Sequence, residues 1–236
     1  GLDSIVNNTI SGNLEDGVVL NVLSCVAIAS NYIGVNKNGD DLGNGDNGIE
    51  LDYYGNTSSG RREIGGIDLA NANVIGCNEG YGVYTSENGY LGVGANYIGV
   101  TPDGKTIGNK KGGICAGSGY IDGSVICCNS GDGVLSAGLL TVKNSVIGDN
   151  TSSAKGNKGY GIHVLSRDLV AYNNKVWNNQ LGGIYYEGNG GYPQTDIDAS
   201  QNLFGGDQPF AIKSKNETLN IPIIKKIAKE DSIYKV

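Results

Sequence analysis

Short apolar pairs, each introduced by Asn or followed by Gly, recur along the chain and set its pattern of hydrophobic and polar positions. The phrase Asn-Tyr-Ile-Gly begins at Asn31 and leads through Gly-Asn to Gly-Ile. The same order begins again at Asn96 and, with a Ser-Val-Ile variant, at Asn144. Shorter versions lie between these, so long and short units alternate. Ordered repetition of this kind predicts a solenoid built from one supersecondary unit per coil.

Each unit predicts three short strands. The first strand follows Asn, the second follows Gly, and the third has a weaker signature. No Asn-Gly turn joins neighbouring runs as a two-residue hairpin, so parallel pairing between successive coils is favoured. About eight such coils would form a rod roughly 40 Å long. The positions predicted to point inward are Ile33, Ile49, Ile75, Val83, Ile98, Ile114, Ile126, Val134, Ile147, Ile162 and Ile184.

Asn residues directly after the first strand mark a predicted corner of the coil. Asn tolerates the left-handed backbone conformation that tight corners need. Asn amides stacked at one corner can also hydrogen-bond along the rod axis as a ladder. The residues predicted to form this ladder are Asn13, Asn78, Asn129, Asn150 and Asn179.

The repeat phrases, together with Arg62-Glu63-Ile64-Gly65-Gly66 leading to Asn73-Val74-Ile75, resemble the repeats of the pectin-lyase-like superfamily. The resemblance covers roughly residues 5–205. It implies an all-β fold, a right-handed single-stranded parallel β-helix of about eight three-strand coils with a non-repeat C-terminal tail. Members include polysaccharide lyases, glycoside hydrolases, adhesins and structural surface proteins, so the fold does not decide the activity.

The repeat phrase ends near Pro209, and the sequence predicts a β-helix over residues 1–208 and a cap or docking tail over residues 209–236. The formal net charge of the chain is −7, but residues 211–236 contain six Lys against three acidic residues. An acidic body argues against a nucleic-acid partner. No apolar run approaches the length of a membrane helix, so membrane insertion is not expected.

The sequence contains few residues suited to catalysis. The resemblance implies Ca²⁺ held by several Asp with a basic residue for a lyase, or paired Asp with Gly-His-Asp for a hydrolase. This chain has a single His, His163, and no such constellation. The remaining candidates for a carbohydrate-active enzyme are carboxylates near an arginine pair: Glu50, Asp52, Glu63 and Asp68, near Arg61 and Arg62.

His163 is predicted to point outward, because Ile162 and Val164 on either side point inward. Its neighbours on adjacent coils should be Leu135 and Tyr185. With Tyr84 these residues form a predicted outward stripe that suits lateral contacts. Apolar residues of the tail complete the interface candidates: Ile221, Ile223 and Ile224.

These features favour a non-catalytic structural or adhesive protein of a cell surface, extracellular filament or virion, which acts by self-association or partner contacts. The alternatives are a polysaccharide lyase, a glycoside hydrolase or a passive carbohydrate-binding module, so carbohydrate is a second candidate partner. No cofactor is expected. Calcium is the alternative, bound through the oxygen-bearing side chains of Asn36, Asn38, Asp40 and Asp46. The five Cys are predicted to be unbridged, with Cys77 and Cys127 in one column two coils apart.

Overall fold

The computed structural model describes residues 3–20, 26–51, 62–66, 68–86, 89–149, 155–165, 168–187, 197–199, 201–205 and 210–215. These residues form strands β1 to β24 and one 3-10 turn, Leu69–Asn71, with no α-helix among them. The strands belong to three eight-stranded sheets, in each of which every third strand of the chain is a neighbour. The chain therefore visits the three sheets in turn, once per coil.

The three sheets are named A, B and C. Sheet A contains β1 (Asp3–Val6), β4 (Val26–Ala29), β7 (Arg62–Ile64), β10 (Tyr90–Val93), β13 (Ser118–Asp122), β16 (Leu140–Lys143), β19 (Leu169–Tyr172) and β22 (Ile197–Asp198). Sheet B contains β2 (Thr9–Ile10), β5 (Tyr32–Ile33), β8 (Val74–Ile75), β11 (Tyr97–Ile98), β14 (Val125–Ile126), β17 (Val146–Gly148), β20 (Lys175–Trp177) and β23 (Leu203–Gly205). Sheet C contains β3 (Val18–Val19), β6 (Ile49–Leu51), β9 (Tyr81–Thr85), β12 (Gly112–Ala116), β15 (Asp132–Ser136), β18 (Tyr160–Val164), β21 (Gly182–Tyr186) and β24 (Ile212–Ser214).

Every pairing between the named strands is parallel, and the fold is the predicted right-handed parallel β-helix. In sheet B, Ile33 pairs with Ile75, Ile75 with Ile98, Ile98 with Ile126, and Ile126 with Ile147. All the positions predicted to point inward are fully buried in one continuous core. Ile and Val side chains thus stack on one another along the axis of the rod, which confirms the predicted inward columns.

A glycine column at the start of the sheet C strands explains why Gly precedes the inward Ile or Val. A Cβ added at Gly133 would lie 2.7 Å from Asn157 Nδ2 and 2.8 Å from Ile147 Cγ2. A Cβ at Gly82 would meet Ile98 and Asn109 in the same way. Only glycine leaves room for the sheet B isoleucine of the following coil and for its corner amide.

The predicted Asn ladder follows sheet B and is longer than the sequence indicated. Each Asn side-chain amide donates to the side-chain oxygen of the Asn on the next coil, over distances of 2.7 to 3.0 Å. The ladder consists of Asn13, Asn44, Asn78, Asn109, Asn129, Asn157 and Asn179. Asn157 occupies the rung that the sequence assigned to Asn150, which lies outside the described residues. A second polar column precedes sheet B and includes Asn31, Asn73 and Asn96.

The alternation of long and short units has a backbone cause at this same corner. In the long units a glycine takes the left-handed conformation directly after the sheet B isoleucine, as at Gly34 and Gly99, and a loop follows. In the short units the left-handed conformation is taken instead by the residue just before the ladder Asn. These residues are Cys77 (φ 60°), Cys128 (φ 65°) and Asn178 (φ 53°).

The β-helix extends past residue 208, the boundary predicted from the sequence. Ile212 in β24 pairs with Ile184 in β21, so sheet C continues to Ser214. The sequence hides this strand because Ala211 stands where the other coils have glycine. The tail candidates Ile221, Ile223 and Ile224 lie outside the described residues.

Candidate functional site

The outward stripe predicted around His163 exists as one register column of sheet C. Tyr84 pairs with Cys115, Cys115 with Leu135, Leu135 with His163, and His163 with Tyr185. Lys213 and Glu50 continue the column at its two ends. The predicted neighbours of His163 are therefore confirmed, while a role of this stripe as an interface stays a prediction.

His163 lies between two carboxylates from the neighbouring coils. Its Nδ1 is 2.9 Å from Asp132 Oδ2, and its Nε2 is 3.5 Å from Glu187 Oε1. Asp132 is fixed by its second oxygen, which accepts the Tyr160 backbone N–H at 2.7 Å. The Nε2 atom is buried and makes no hydrogen bond. Nε2 therefore faces Glu187 Oε1 across a gap longer than an ordinary hydrogen bond.

Aromatic rings cover the same part of sheet C. Tyr160 and Tyr185 stack with ring centroids 4.6 Å apart, and Tyr160 meets His163 edge-on at 5.1 Å. Phe210 extends the group beyond Tyr185, with Lys213 Nζ 5.6 Å from the centre of its ring. Burial, then the neighbouring Tyr185 and carboxylates, raises the pKa of Tyr160. We call Asp132, Tyr160, His163, Tyr185, Glu187 and Phe210 the aromatic–acidic cluster.

Sequence reasoning missed Tyr160 and Asp132 because it assumed strict alternation along the strand. A Cβ at Gly161 would meet Val176 Cγ1 and Asn179 Nδ2, so Gly161 faces the interior, as Ile162 does. Inward and outward side chains therefore do not alternate at this point of the strand. As a result, Tyr160 lies on the same outer face as His163. The repeated glycine at the start of each sheet C strand is the signal that marks this break.

The candidate calcium loop holds its acidic groups against lysines. Asp40 accepts a hydrogen bond from Asn36 Nδ2 at 2.9 Å and lies 3.3 Å from Lys105 Nζ. The Asn36 bond, then the Lys105 bond, lowers the pKa of Asp40. Asp46 lies elsewhere, 3.1 Å from Lys111 Nζ. Asn38 offers Lys105 its backbone carbonyl. Among the described residues, no group of three or more His, Cys, Asp or Glu could hold a metal ion.

The described candidate catalytic carboxylates lie in three different elements of the coil. Glu50 lies in β6 of sheet C, where Asn47 Nδ2 donates to its Oε2 at 2.9 Å. Glu63 lies in β7 of sheet A. Asp68 caps the 3-10 turn by accepting the Ala70 backbone N–H. Asp52 and Arg61 lie outside the described residues, and Arg62 is described only as part of β7.

None of the four described cysteines belongs to a disulfide: Cys77, Cys115, Cys127 and Cys128. Cys25 lies outside the described residues. The predicted column of Cys77 with Cys127 is wrong by one residue. Because Ile75 aligns with Ile126 through Ile98, Cys77 is level with Cys128. Burial, then the Asp41 carboxylate, raises the pKa of Cys77 to about 12.

Comparison with protein-family models, with curated proteins and with solved structures finds no significant match. The assignment of a parallel β-helix fold is therefore supported by the strand register and the buried core of this chain itself. In the described part of the chain, no helix is long and apolar enough to cross a membrane.

Proposed function

We propose that this chain is a non-catalytic structural or adhesive β-helix protein of the pectin-lyase-like type, acting at a cell surface, in an extracellular filament or on a virion. The single observation that carries the proposal is the aromatic–acidic cluster on the outer face of sheet C. Tyr and His present apolar rings with polar tips, and aromatic residues such as Tyr and Phe are enriched where protein surfaces meet. Self-association through this face is the mode of action that we propose.

The Asp132–His163 pair argues against a catalytic role for the cluster. A general base needs its second ring nitrogen within reach of a substrate proton. Here Nδ1 is held by Asp132, while Nε2 is buried and faces Glu187. A substrate would have to displace Glu187 before reaching the imidazole. Carboxylates bracketing the ring on both sides instead fit a role in holding three successive coils together.

Passive carbohydrate binding is the second candidate, and the stacked rings favour it. A flat aromatic surface beside carboxylate acceptors offers apolar contact together with hydrogen-bond partners, which is the composition of many small-ligand sites. Tyr160, Tyr185 and Glu187 supply both elements within one patch. Binding of neutral oligosaccharides to the isolated protein would support this candidate over self-association.

A paired-variant experiment tests the proposed function. The double variant Tyr160→Ser/Tyr185→Ser removes the stacked rings, while Tyr90→Ser removes a tyrosine that is 60% exposed in β10 of sheet A. We expect sedimentation velocity to show concentration-dependent association of the wild type and of Tyr90→Ser, and its loss in the double variant. A wild type that stays monomeric throughout, or a double variant that associates unchanged, would refute the proposal.

The basic tail offers a second arm of the same test. Deleting residues 217–236 removes four Lys and three acidic residues from the basic segment. If the tail docks on the acidic body of a second copy, the deletion should weaken association and reduce its salt dependence. Unchanged association at every salt concentration would restrict the interface to sheet C.

A further inference from the structure

Two adjacent thiols meet at the corner between sheets B and C. The Sγ atoms of Cys127 and Cys128 lie 3.3 Å apart, and both cysteines are free. Both residues are buried, Cys128 at 9% exposure and Cys127 at 3%. We propose that this pair is a bidentate thiol site for a soft, thiophilic centre that takes two sulfur ligands at a narrow angle, the chemistry of trivalent arsenic.

The backbone at this corner does not require a thiol. Cys128 takes a left-handed conformation with φ 65°, which is costly for most residues other than Gly, Asn and Asp. Two coils further along, Asn178 fills the equivalent corner with φ 53°. Asn therefore satisfies the same geometry. Cys77 also takes this conformation (φ 60°), so what sets this corner apart is the adjacent Cys127, which places two thiols side by side.

A dithiol, and not a disulfide, is the favoured state of this pair. The Cα atoms of adjacent residues are about 3.8 Å apart, whereas disulfides normally need at least about 4.4 Å. A bond between Cys127 and Cys128 would be strained and readily reduced. A bridging atom removes this conflict, because the two sulfurs can then stay near their present separation.

Hydrogen-bond partners fix the position of the Cys128 thiol. Thr106 Oγ1 lies 3.7 Å from Cys128 Sγ, and Cys128 Sγ lies 3.2 Å from the Lys155 carbonyl oxygen. These contacts hold Cys128 Sγ beside Cys127 Sγ, so the two sulfurs can reach one shared soft centre.

The binding step conserves oxidation states. With an arsenoxide as the probe, two S–H bonds and the arsenic–oxygen bond break and two As–S bonds form. Both thiol protons leave with the arsenoxide oxygen as one water. No oxidant or reductant takes part.

Phenylarsine oxide and intact-protein mass spectrometry test the proposal on the full native chain. We expect one arsenical per chain, retained in excess 2-mercaptoethanol and released by dithiothreitol, a chelating dithiol. Cys127→Ser and Cys128→Asn should abolish the retained adduct. Cys128→Asn keeps a residue suited to the left-handed corner, so a circular dichroism melt should show that it stays folded.

Cys77→Ser is the matched control, because Cys77 occupies the equivalent left-handed corner without an adjacent thiol. It should keep the retained adduct. The proposal is overturned if the native wild type retains no arsenical, if folded Cys128→Asn still retains one, or if Cys77→Ser loses it.

Discussion

Replacing Asn129 by Ala in the middle of the corner ladder should strongly destabilise the β-helix. Asn129 is fully buried, and its side-chain oxygen accepts the backbone N–H of Asn109 at 3.1 Å and the side-chain amide of Asn109 at 3.0 Å. Its own amide donates to Asn157 Oδ1 at 2.9 Å and to the Cys127 carbonyl at 3.1 Å. A longer bond joins the same amide to the Ile98 carbonyl at 3.4 Å. The substitution removes all five bonds and leaves two buried donors of Asn109 without this acceptor.

The expected cost follows from the orphaned groups. A buried polar group that loses its partner costs about 1–3 kcal/mol, so two such donors give a loss of about 2–6 kcal/mol in the free energy of unfolding. Asn13→Ala is the matched control, because Asn13 is the exposed first rung and makes a single side-chain bond, to Asn44 at 2.8 Å. The control should cost less than about 1 kcal/mol.

Equilibrium unfolding in urea measures both variants, with the midpoint and the slope compared separately. A loss for Asn129→Ala that equals the loss for Asn13→Ala would contradict the reasoning. So would a loss below about 1 kcal/mol, since the ladder would then contribute no more than an exposed hydrogen bond.

Two further predictions concern the glycine column and the thiols. Gly133→Ala should lower the free energy of unfolding by about 1–3 kcal/mol, because the new Cβ would overpack against Ile147 and Asn157. Gly104→Ala is the control, since its new Cβ would meet nothing nearer than Lys155 Nζ at 3.9 Å. It should cost only about 1 kcal/mol, for placing Ala in a left-handed backbone conformation. Equal urea midpoints for the two variants would show that the column tolerates a Cβ. The thiol of Cys77 ionises near pH 9 when unfolded and near pH 12 when folded, so the folded chain binds more protons and its stability falls as pH rises through that window. Thermal melts should therefore show a smaller alkaline loss in Cys77→Ser than in the wild type, and identical losses would contradict the assigned shift.

Sheets B and C could be predicted closely from the sequence because their chemistry is restrictive. The inward position next to the ladder accepts Ile or Val, its neighbour in sheet C must be Gly, and the corner must be Asn, so each coil carries the same short phrase. Sheet A has no such restriction. Strands β7 and β13 were not predicted, since Arg62–Ile64 and Ser118–Asp122 mix charged, small and aromatic residues without a recurring signature. Only their parallel pairing with neighbouring strands of sheet A makes these two segments strands.

The aromatic–acidic cluster could be predicted only in part, because Asp132, Tyr160, His163 and Tyr185 come from three successive coils and Phe210 comes from the next one. Asp132 lies in β15, Tyr160 and His163 in β18, and Tyr185 in β21. They meet only because Leu135, His163 and Tyr185 share one register column, and no local motif encodes that meeting. Register in a short-stranded sheet is easily lost unless another element fixes it. The Asn129–Asn157–Asn179 rungs connect the same three coils, so the ladder holds the cluster in register as well as stabilising the rod.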